Sequence, residues 1–252
     1  MVRQIDQDGV NAVAAAVEPC AIAAWPARFT LEIGGWLLRF TDGFSHRSNS
    51  VAARGFEGAD LQAQIALVEI AYFARGLTPL FQITPLTQPP DLEATLIARG
   101  YLCDTPTNVM IAGPVKGEAS NVTLAREPAE SFKALVVSGS HSTADGHERL
   151  DVLSRIAVPH IFASTHENGN VIACGMCTVT DGWGGINLMR THPDHRRKGH
   201  AARILAALAS WAEKQGAAKL YLQVEEANAP ARALYAKAGF ADAYSYRFYR
   251  AP

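Results

Sequence analysis

Apolar residues recur with a helical period in two stretches of the second half of the chain. The first stretch, residues 201–215, keeps its apolar side chains on one face, and Gly216 follows as a typical helix end. The apolar positions on that face are Ile204, Leu205, Leu208 and Trp211. The second stretch, residues 230–238, begins with a proline in its first turn and is followed by Gly239. Both stretches therefore predict helices.

The segments around these helices are predicted to be strands, and the run at 171–179 has an alternating apolar pattern. The strands lie at residues 122–126, 160–166, 171–180, 185–191, 219–224 and 244–250, with further helices at residues 129–137 and 145–156. Because the helix at 201–215 joins two neighbouring strands, we expect it to be the crossover between parallel strands. The strand at 244–250 is expected to close a final hairpin. This pattern predicts an α+β fold with a mixed sheet.

A similar order of elements occurs earlier in the chain. This first copy consists of a helix at 61–75, a strand at 80–84 and a helix at 92–99. Each copy has a glycine after its long helix, Gly76 or Gly216, and ends in a glycine-aromatic pair that begins at Gly100 or Gly239. The spacing between the two glycines is 24 residues in the first copy and 23 in the second. The pattern indicates an internal duplication.

The length and composition agree with two globular units. The chain has 252 residues, and the Gly-, Pro- and Ser-containing stretch at 114–121 predicts a linker between domains at residues 1–113 and 122–252. With 48% hydrophobic and 19% charged residues, the chain is neither disordered nor a bundle of membrane spans. A net charge of −1 provides no general basic field for nucleic acid or an anionic membrane. The first residues lack the pattern of a secretory signal, so a cytoplasmic location is expected.

The cysteines do not form the pattern of a disulfide framework. Cys174 and Cys177 have the C-x-x-C spacing of redox and zinc half-sites, but they lie in an alternating apolar run. In a strand, positions three residues apart point to opposite faces, and the sequence contains no second pair. We therefore interpret both as core residues of a strand and expect no metal.

The turn between the strand at 185–191 and the helix at 201–215 has the composition of an anion site. Amides at a helix start attract anions, and Gly199 allows a phosphate to approach the backbone. Arg196, Arg197 and Lys198 add positive charge. We interpret the turn as a pyrophosphate site, and a solvated basic turn is the alternative.

The R-x-x-G-x-A string of this turn, together with N-A-P-A-R-A-L-Y-A-K-A-G-F at residues 228–240, resembles the GNAT superfamily of N-acetyltransferases. The resemblance covers residues 122–252 and implies acetyl-CoA as the acyl donor. In that family the loop amides bind the pyrophosphate, and the preceding strand binds the pantetheine arm and the acetyl carbonyl. The implied donor-binding residues are Leu188, Met189, Arg190, Thr191, Arg196, Arg197, Lys198, Gly199, His200, Ala201, Ala202, Asn228 and Tyr235. Ala201 and Thr191 depart from the glycine and valine that are frequent in the family.

The resemblance also implies that Tyr235 protonates the leaving thiolate, although a partly buried helix aromatic is the alternative. Glu225 or Glu226 follows the strand at 219–224 and is a candidate base, or else a surface carboxylate or an anion at a helix start. Asn187 and Trp36 are candidate contacts of the acceptor. His192 and His195 are interpreted as solvated loop residues.

The first half resembles the degenerate N-terminal repeat of two-domain GNAT proteins. At the turn equivalent to the anion site it offers Phe56, Glu57 and Asp60 around Ala59, so negative charge lies where phosphates would bind. Its aromatic and polar segments, including Trp25 and residues 47–51, are expected to wall the acceptor pocket. We thus expect two GNAT-like mixed-sheet domains, of which only the second binds the donor.

These interpretations predict an acetyl-CoA-dependent N-acetyltransferase that acts on a primary amine by direct attack in a ternary complex. The acceptor is expected to be a small molecule or a peptide, with no nucleic-acid or membrane partner. A monomer and a homodimer are both compatible with the sequence. The competing prediction is a non-catalytic acyl-CoA-binding sensor or interaction module.

Overall fold

Twelve strands form one sheet in the computed structural model, which describes residues 6–104 and 106–252. The strands are β1 (Phe29–Ile33), β2 (Trp36–Phe40), β3 (Val51–Ala52), β4 (Leu80–Ile83), β5 (Leu102–Cys103), β6 (Thr107–Ala112), β7 (Thr123–Ala125), β8 (His160–Glu167), β9 (Asn170–Thr180), β10 (Trp183–Thr191), β11 (Lys219–Glu225) and β12 (Ala241–Arg250). The helices are α1 (Gln7–Ala24), α2 (Leu61–Phe73), α3 (Leu92–Ala98), α4 (Glu130–Ser138), α5 (Thr143–Leu153), α6 (His200–Lys214) and α7 (Ala229–Lys237). The strand order is β1-β2-β3-β4-β12-β6-β11-β10-β9-β8-β7, and β5 pairs with β12.

Two pairs of neighbouring strands are parallel, and each pair is joined by a long helix. β10 and β11 run parallel and are connected through α6, which confirms the crossover predicted for residues 201–215. β3 and β4 run parallel and are connected through α2. The other strand pairs of the described residues are antiparallel, so the sheet is mixed as predicted.

The two halves of the chain exchange strands. β6 comes from the first half but lies between β11 and β12 in the second. β12 pairs with β6 through residues 241–246 and then enters the first half, where residues 247–250 pair with β4. The expected final hairpin is therefore wrong, because β6 separates β11 from β12. Each half is completed by a strand of the other: β6 completes the second half and β12 the first. The division into domains at residues 1–113 and 122–252 stays a prediction.

Helices cover both faces of the sheet around β9, β10 and β11. On one face, Ile204, Leu205 and Leu208 of α6 pack with α7 against the strands, which confirms the predicted apolar face of that helix. Helices α1, α4 and α5 cover the opposite face. No helix in the described ranges is long and apolar enough to cross a membrane.

Cys174 and Cys177 are both buried core residues of β9. Cys174 packs with α4 and α5, whereas Cys177 packs with α6 on the other face. Burial raises the pKa of Cys174 to about 12. Their opposite orientation confirms the interpretation as strand-core residues.

Candidate functional site

A wedge opens between the parallel strands β10 and β11. The pairing of the two strands runs from Trp183 with Lys219 to Ile186 with Leu222, although β10 continues to Thr191 and β11 to Glu225. On its other side, β10 has a bulge against β9 between Asn187 and Arg190, and Leu188 takes a positive φ of 54°. The backbone of residues 187–191 thus has no ladder partner on the β11 side, which leaves that edge available to a ligand.

The turn after β10 presents unpaired amides at the start of α6. A short 3-10 helix over Pro193–His195 leads to Arg197 and Gly199, which have positive φ values of 61° and 80°. Within the described residues, no amide from Arg197 to Ala202 donates a hydrogen bond. The first turn of α6 has no acidic residue, and its N-cap Gly199 offers no side-chain cap. Such a helix start attracts an anion.

The charges near the start of α6 favour a polyanion. Arg196, Arg197 and Lys198 are all exposed beside the free amides. An open cavity of about 410 Å³ adjoins the first turn and is lined by residues 121–123, Thr165, His166, His200 and Arg203. His200 Nδ1 lies 3.0 Å from Arg203 Nη2. Burial lowers the pKa of His200, and the positive charge of Arg203 lowers it further.

The other two loop histidines contact residues near the turn. His192 Nδ1 accepts a hydrogen bond from the amide of Asp194 at 3.4 Å, so its exposed side chain caps the short 3-10 helix. His195 Nδ1 lies 3.5 Å from Glu167 Oε2. These contacts give both rings local roles in the turn.

Tyr235 lies on α7 with its ring packed 6.0 Å from the ring of Phe240. The residue is 7% exposed, and its hydroxyl forms no hydrogen bond with the part of the chain that the structure describes. Burial raises the pKa of Tyr235 to about 12, and the positive charge of Arg190 opposes the shift. The hydroxyl therefore keeps its proton at neutral pH, and it lies within electrostatic range of the bulged strand.

The other predicted residues of this region differ in what they contact. Asn228 Oδ1 accepts a hydrogen bond from Ala231 N at 3.2 Å and so caps α7. Glu225 and Glu226 are exposed, and neither carboxylate is within ion-pair distance of a cation among the described residues. Glu225 is the last residue of β11, at the open end of the wedge.

A loop of the first half reaches the wedge at Asn187. The Asn187 Oδ1 atom accepts a hydrogen bond from Arg47 Nη1 at 2.9 Å. The Arg47 guanidinium carbon lies 4.4 Å from the centre of the Trp25 ring, and Trp25 itself is fully buried. Of the residues expected to wall an acceptor pocket, Arg47 therefore lies at the wedge while Trp25 supports it from beneath.

The chain is similar to known acetyltransferases in sequence and in fold. A family model described as "Probable histone acetyltransferase Rv0428c C-terminal" matches residues 12–249. The chain belongs to this family. It is similar to the uncharacterized N-acetyltransferase YobR of Bacillus subtilis (strain 168), with 28% identity over 241 residues that cover 89% of this chain and 93% of the relative. It is an acyltransferase of the GNAT type.

Two further similarities bear on the fold and on part of the sequence. A GCN5-related N-acetyltransferase from Kribbella flavida has a TM-score of 0.68 at 15% identity and covers 97% of this chain and 95% of its own. This similarity shows the α+β GNAT fold. The aminoglycoside N(6')-acetyltransferase type 1 of Serratia marcescens is 40% identical over 55 residues, which cover 22% of this chain and 38% of that enzyme.

One predicted site residue of this acetyltransferase has a different environment. Trp36 is fully buried in the core of the first half, where its ring packs against the rings of Phe56 and Phe81. Its indole N–H donates to the carbonyl of Gln88 at 2.9 Å. A side chain with no exposed surface and a satisfied donor does not fit the predicted contact with an acceptor.

The sequence interpretation did not include Glu148, which holds the loop that carries Arg47. Glu148 is buried on α5, and its Oε1 atom accepts hydrogen bonds from Ser45 N at 2.7 Å and Asn49 Nδ2 at 3.0 Å. Its Oε2 atom accepts one from Phe44 N at 3.0 Å. The residue lies in a polar helix segment about a hundred positions from its partners, so local sequence carries no signal for this contact.

Proposed function

We propose that this GNAT-type enzyme transfers the acetyl group of acetyl-CoA to a primary amine by direct attack in a ternary complex. The observation that carries the proposal is the wedge between β10 and β11, which ends at the unpaired amides of residues 197–202. The open strand edge and the positive turn are complementary to the two ends of one elongated anionic donor. A small molecule or a peptide supplies the amine.

The residues of the wedge fit the donor. The amides of Gly199, His200, Ala201 and Ala202 would hold the pyrophosphate, together with Arg196, Arg197 and Lys198. The backbone of Leu188, Met189, Arg190 and Thr191 would hold the pantetheine arm and the acetyl carbonyl. Acetyl-CoA supplies an activated acyl group whose carbonyl carbon accepts the amine.

Two side chains transfer protons in this proposal, one from the attacking amine and one to the departing sulfur. The forming bond joins the amine nitrogen to the acetyl carbon, and the breaking bond joins that carbon to sulfur. Glu225, or Glu226 beside it, accepts the proton that the amine loses, directly or through water. The Tyr235 hydroxyl donates its proton to the departing sulfur, because burial keeps that hydroxyl protonated. Positioning of the two substrates supplies much of the remaining acceleration.

The first half has no second donor site in this proposal. Helix α2 is the counterpart of α6, but its N-cap is Asp60, whose carboxylate accepts from Gln62 N at 2.8 Å and Ala63 N at 3.3 Å. The helix-start amides are therefore occupied by a carboxylate of the chain itself. This supports a degenerate first half that contributes to the acceptor side only.

A non-catalytic acyl-CoA sensor is the competing proposal, and thiol release separates the two. The purified chain is mixed with acetyl-CoA and a panel of primary amines, and free thiol is measured against time. Amine-dependent release with formation of the N-acetyl product supports the transferase. Binding of acetyl-CoA without release by any amine would favour the sensor. The cytoplasmic location, the absence of nucleic-acid and membrane partners and the oligomeric state stay predictions.

A further inference from the structure

Arg47 places a positive charge at the mouth of the wedge. Its Nη1 atom donates to Asn187 Oδ1 at 2.9 Å, and Asn187 is the first residue of β10 beyond the pairing with β11. The arginine comes from the first half, whereas the strand comes from the second. The guanidinium is thus held beside the strand segment to which the proposed function assigns the acetyl group.

The position of Arg47 is fixed from two sides. Its guanidinium carbon lies 4.4 Å from the ring centre of Trp25, whose indole N–H donates to Ser45 Oγ at 2.8 Å. The carboxylate of Glu148 holds the same loop through the amides of Phe44 and Ser45. A side chain held by an aromatic ring, an amide oxygen and an anchored loop is organised in advance for recognition.

The guanidinium of Arg47 retains unused donors and has no counter-ion among the described residues. Arginine has five N–H donors, and in the described part of the chain Arg47 uses only the one directed to Asn187. Arg47 forms no ion pair with a described carboxylate. Two carboxylates of α5 near this loop are already engaged, since Asp145 accepts from Arg149 Nε at 2.9 Å and Glu148 binds the loop. Burial lowers the pKa of Arg47 to about 10, so the group stays charged at neutral pH.

Three further arginines lie near Arg47. Arg149 and Arg39 are close enough to lower its pKa further, and the side chain of Arg190 lies at the end of the same bulge. Burial and the charge of Arg149 lower the pKa of Arg190 as well. A polycationic acceptor that entered here would meet like charge, whereas an anionic group would find several unpaired donors.

We propose that Arg47 binds a carboxylate of the acceptor, so that the acceptors are amino acids or similar small-molecule amines that carry a carboxylate. The inference rests on the proposed function and narrows its substrate. Glu225 shares a strand face with Tyr221 and Gln223, and Gln223 accepts a hydrogen bond from the Tyr246 hydroxyl at 2.8 Å. Tyr246 and Tyr221 both lie close enough to Arg47 to affect its pKa, so Glu225 is on the face of β11 that Arg47 approaches. A zwitterion would then direct its carboxylate to Arg47 and its ammonium group to Glu225.

Matched pairs of ligands test the proposal. L-phenylalanine is compared with phenethylamine, and L-lysine with cadaverine, because the members of each pair differ by one carboxylate. Binding to the complex of the protein with CoA is measured by calorimetry, and thiol release from acetyl-CoA is measured for the same four amines. We expect the carboxylated member of at least one pair to bind about 10- to 100-fold more tightly, as for one charge-assisted hydrogen-bonded pair.

Variants of two stacked arginines complete the test. Arg47→Met should remove the preference for the carboxylated ligand and leave the affinity for the plain amines within about threefold of the original. Arg47→Lys should keep part of the carboxylate preference. Arg75→Met is the control, since the Arg75 guanidinium also lies 4.4 Å from an aromatic ring, that of Phe40. The Arg75→Met variant should leave the carboxylate preference unchanged in both ligand pairs.

The outcomes separate the two proposals. Carboxylated ligands that bind no better than their partners, or a preference that survives in folded Arg47→Met, would overturn the role of Arg47 whatever the transfer assay shows. A carboxylate preference that Arg47 controls, without thiol release from any amine, would overturn the transferase and leave the carboxylate site in place.

Discussion

Gly199→Val tests the donor site most directly. Gly199 has a φ of 80°, and a Cβ atom there would lie 3.3 Å from Arg203 Nη1, the flexible end of a side chain. The fold should therefore accept the variant at the cost of backbone strain, about 1–2 kcal/mol for an L residue in the left-handed region. The added side chain lies among the amides of residues 197–202, where the pyrophosphate is proposed to bind.

The expected loss of affinity follows from those amides. A hydrogen bond to a charged group contributes about 1.5–3 kcal/mol, so loss of two would weaken acetyl-CoA binding about 100-fold or more. Calorimetric titration with acetyl-CoA measures the affinity, and urea unfolding measures the strain. Gly216→Val is the matched control, because Gly216 has a φ of 88° after the other end of α6 and a Cβ there would meet nothing within 4 Å.

The two variants should lose similar stability, and only Gly199→Val should lose affinity. Unchanged binding in folded Gly199→Val would refute the assignment of the turn as the pyrophosphate site. Equal loss of binding in both variants would attribute the effect to general destabilisation.

Three further predictions concern catalysis, stoichiometry and pH. Tyr235→Phe should lower kcat by about 100-fold with little change in acetyl-CoA affinity, because the lost proton donor acts only as sulfur departs; an unchanged kcat with chemistry shown to be rate-limiting would contradict this. Calorimetry should give one acetyl-CoA per chain, and Arg196→Glu should abolish that site without revealing another, whereas a value of two would show a functional site in the first half. Burial raises the pKa values of Tyr235 and Tyr246 to about 12, above the value near 10 of an unfolded tyrosine. The contribution of these two tyrosines to the free energy of unfolding is therefore complete below about pH 10 and is lost as the pH rises to 12. Urea unfolding between pH 8 and pH 12 should show this fall, and a constant unfolding free energy would contradict it.

The second half was largely predictable because its patterns are local. The apolar face of α6, the stop at Gly216 and the long apolar run of β9 depend on residues that are close in sequence. The basic turn is also local, since its cations and glycine are consecutive. The elements that border the wedge, β10, the basic turn and α6, are therefore predictable from local sequence alone.

The first half was harder to predict because its key contacts are distant in sequence. Helix α1 is not evident in the sequence, because Glu18 interrupts its apolar pattern. In the structure this carboxylate is buried, and its Oε1 atom accepts a hydrogen bond from the Tyr244 hydroxyl at 2.7 Å. The sequence predicts Trp36 as part of a segment that walls the acceptor pocket, but its ring is buried against Phe56 and Phe81. The contact of Arg47 with Asn187 joins residues 140 positions apart, which no local pattern encodes.

The exchange of strands between the halves delays the completion of each half of the sheet. β6 ends at residue 112, but its neighbours β11 and β12 begin at residues 219 and 241. During synthesis, both edges of β6 therefore remain without their final partners until the second half has left the ribosome, and such edges favour association with other chains. Neither half can complete its sheet without a strand of the other, so we expect the last steps of the two halves to be coupled, and the non-local pairing makes those steps slow.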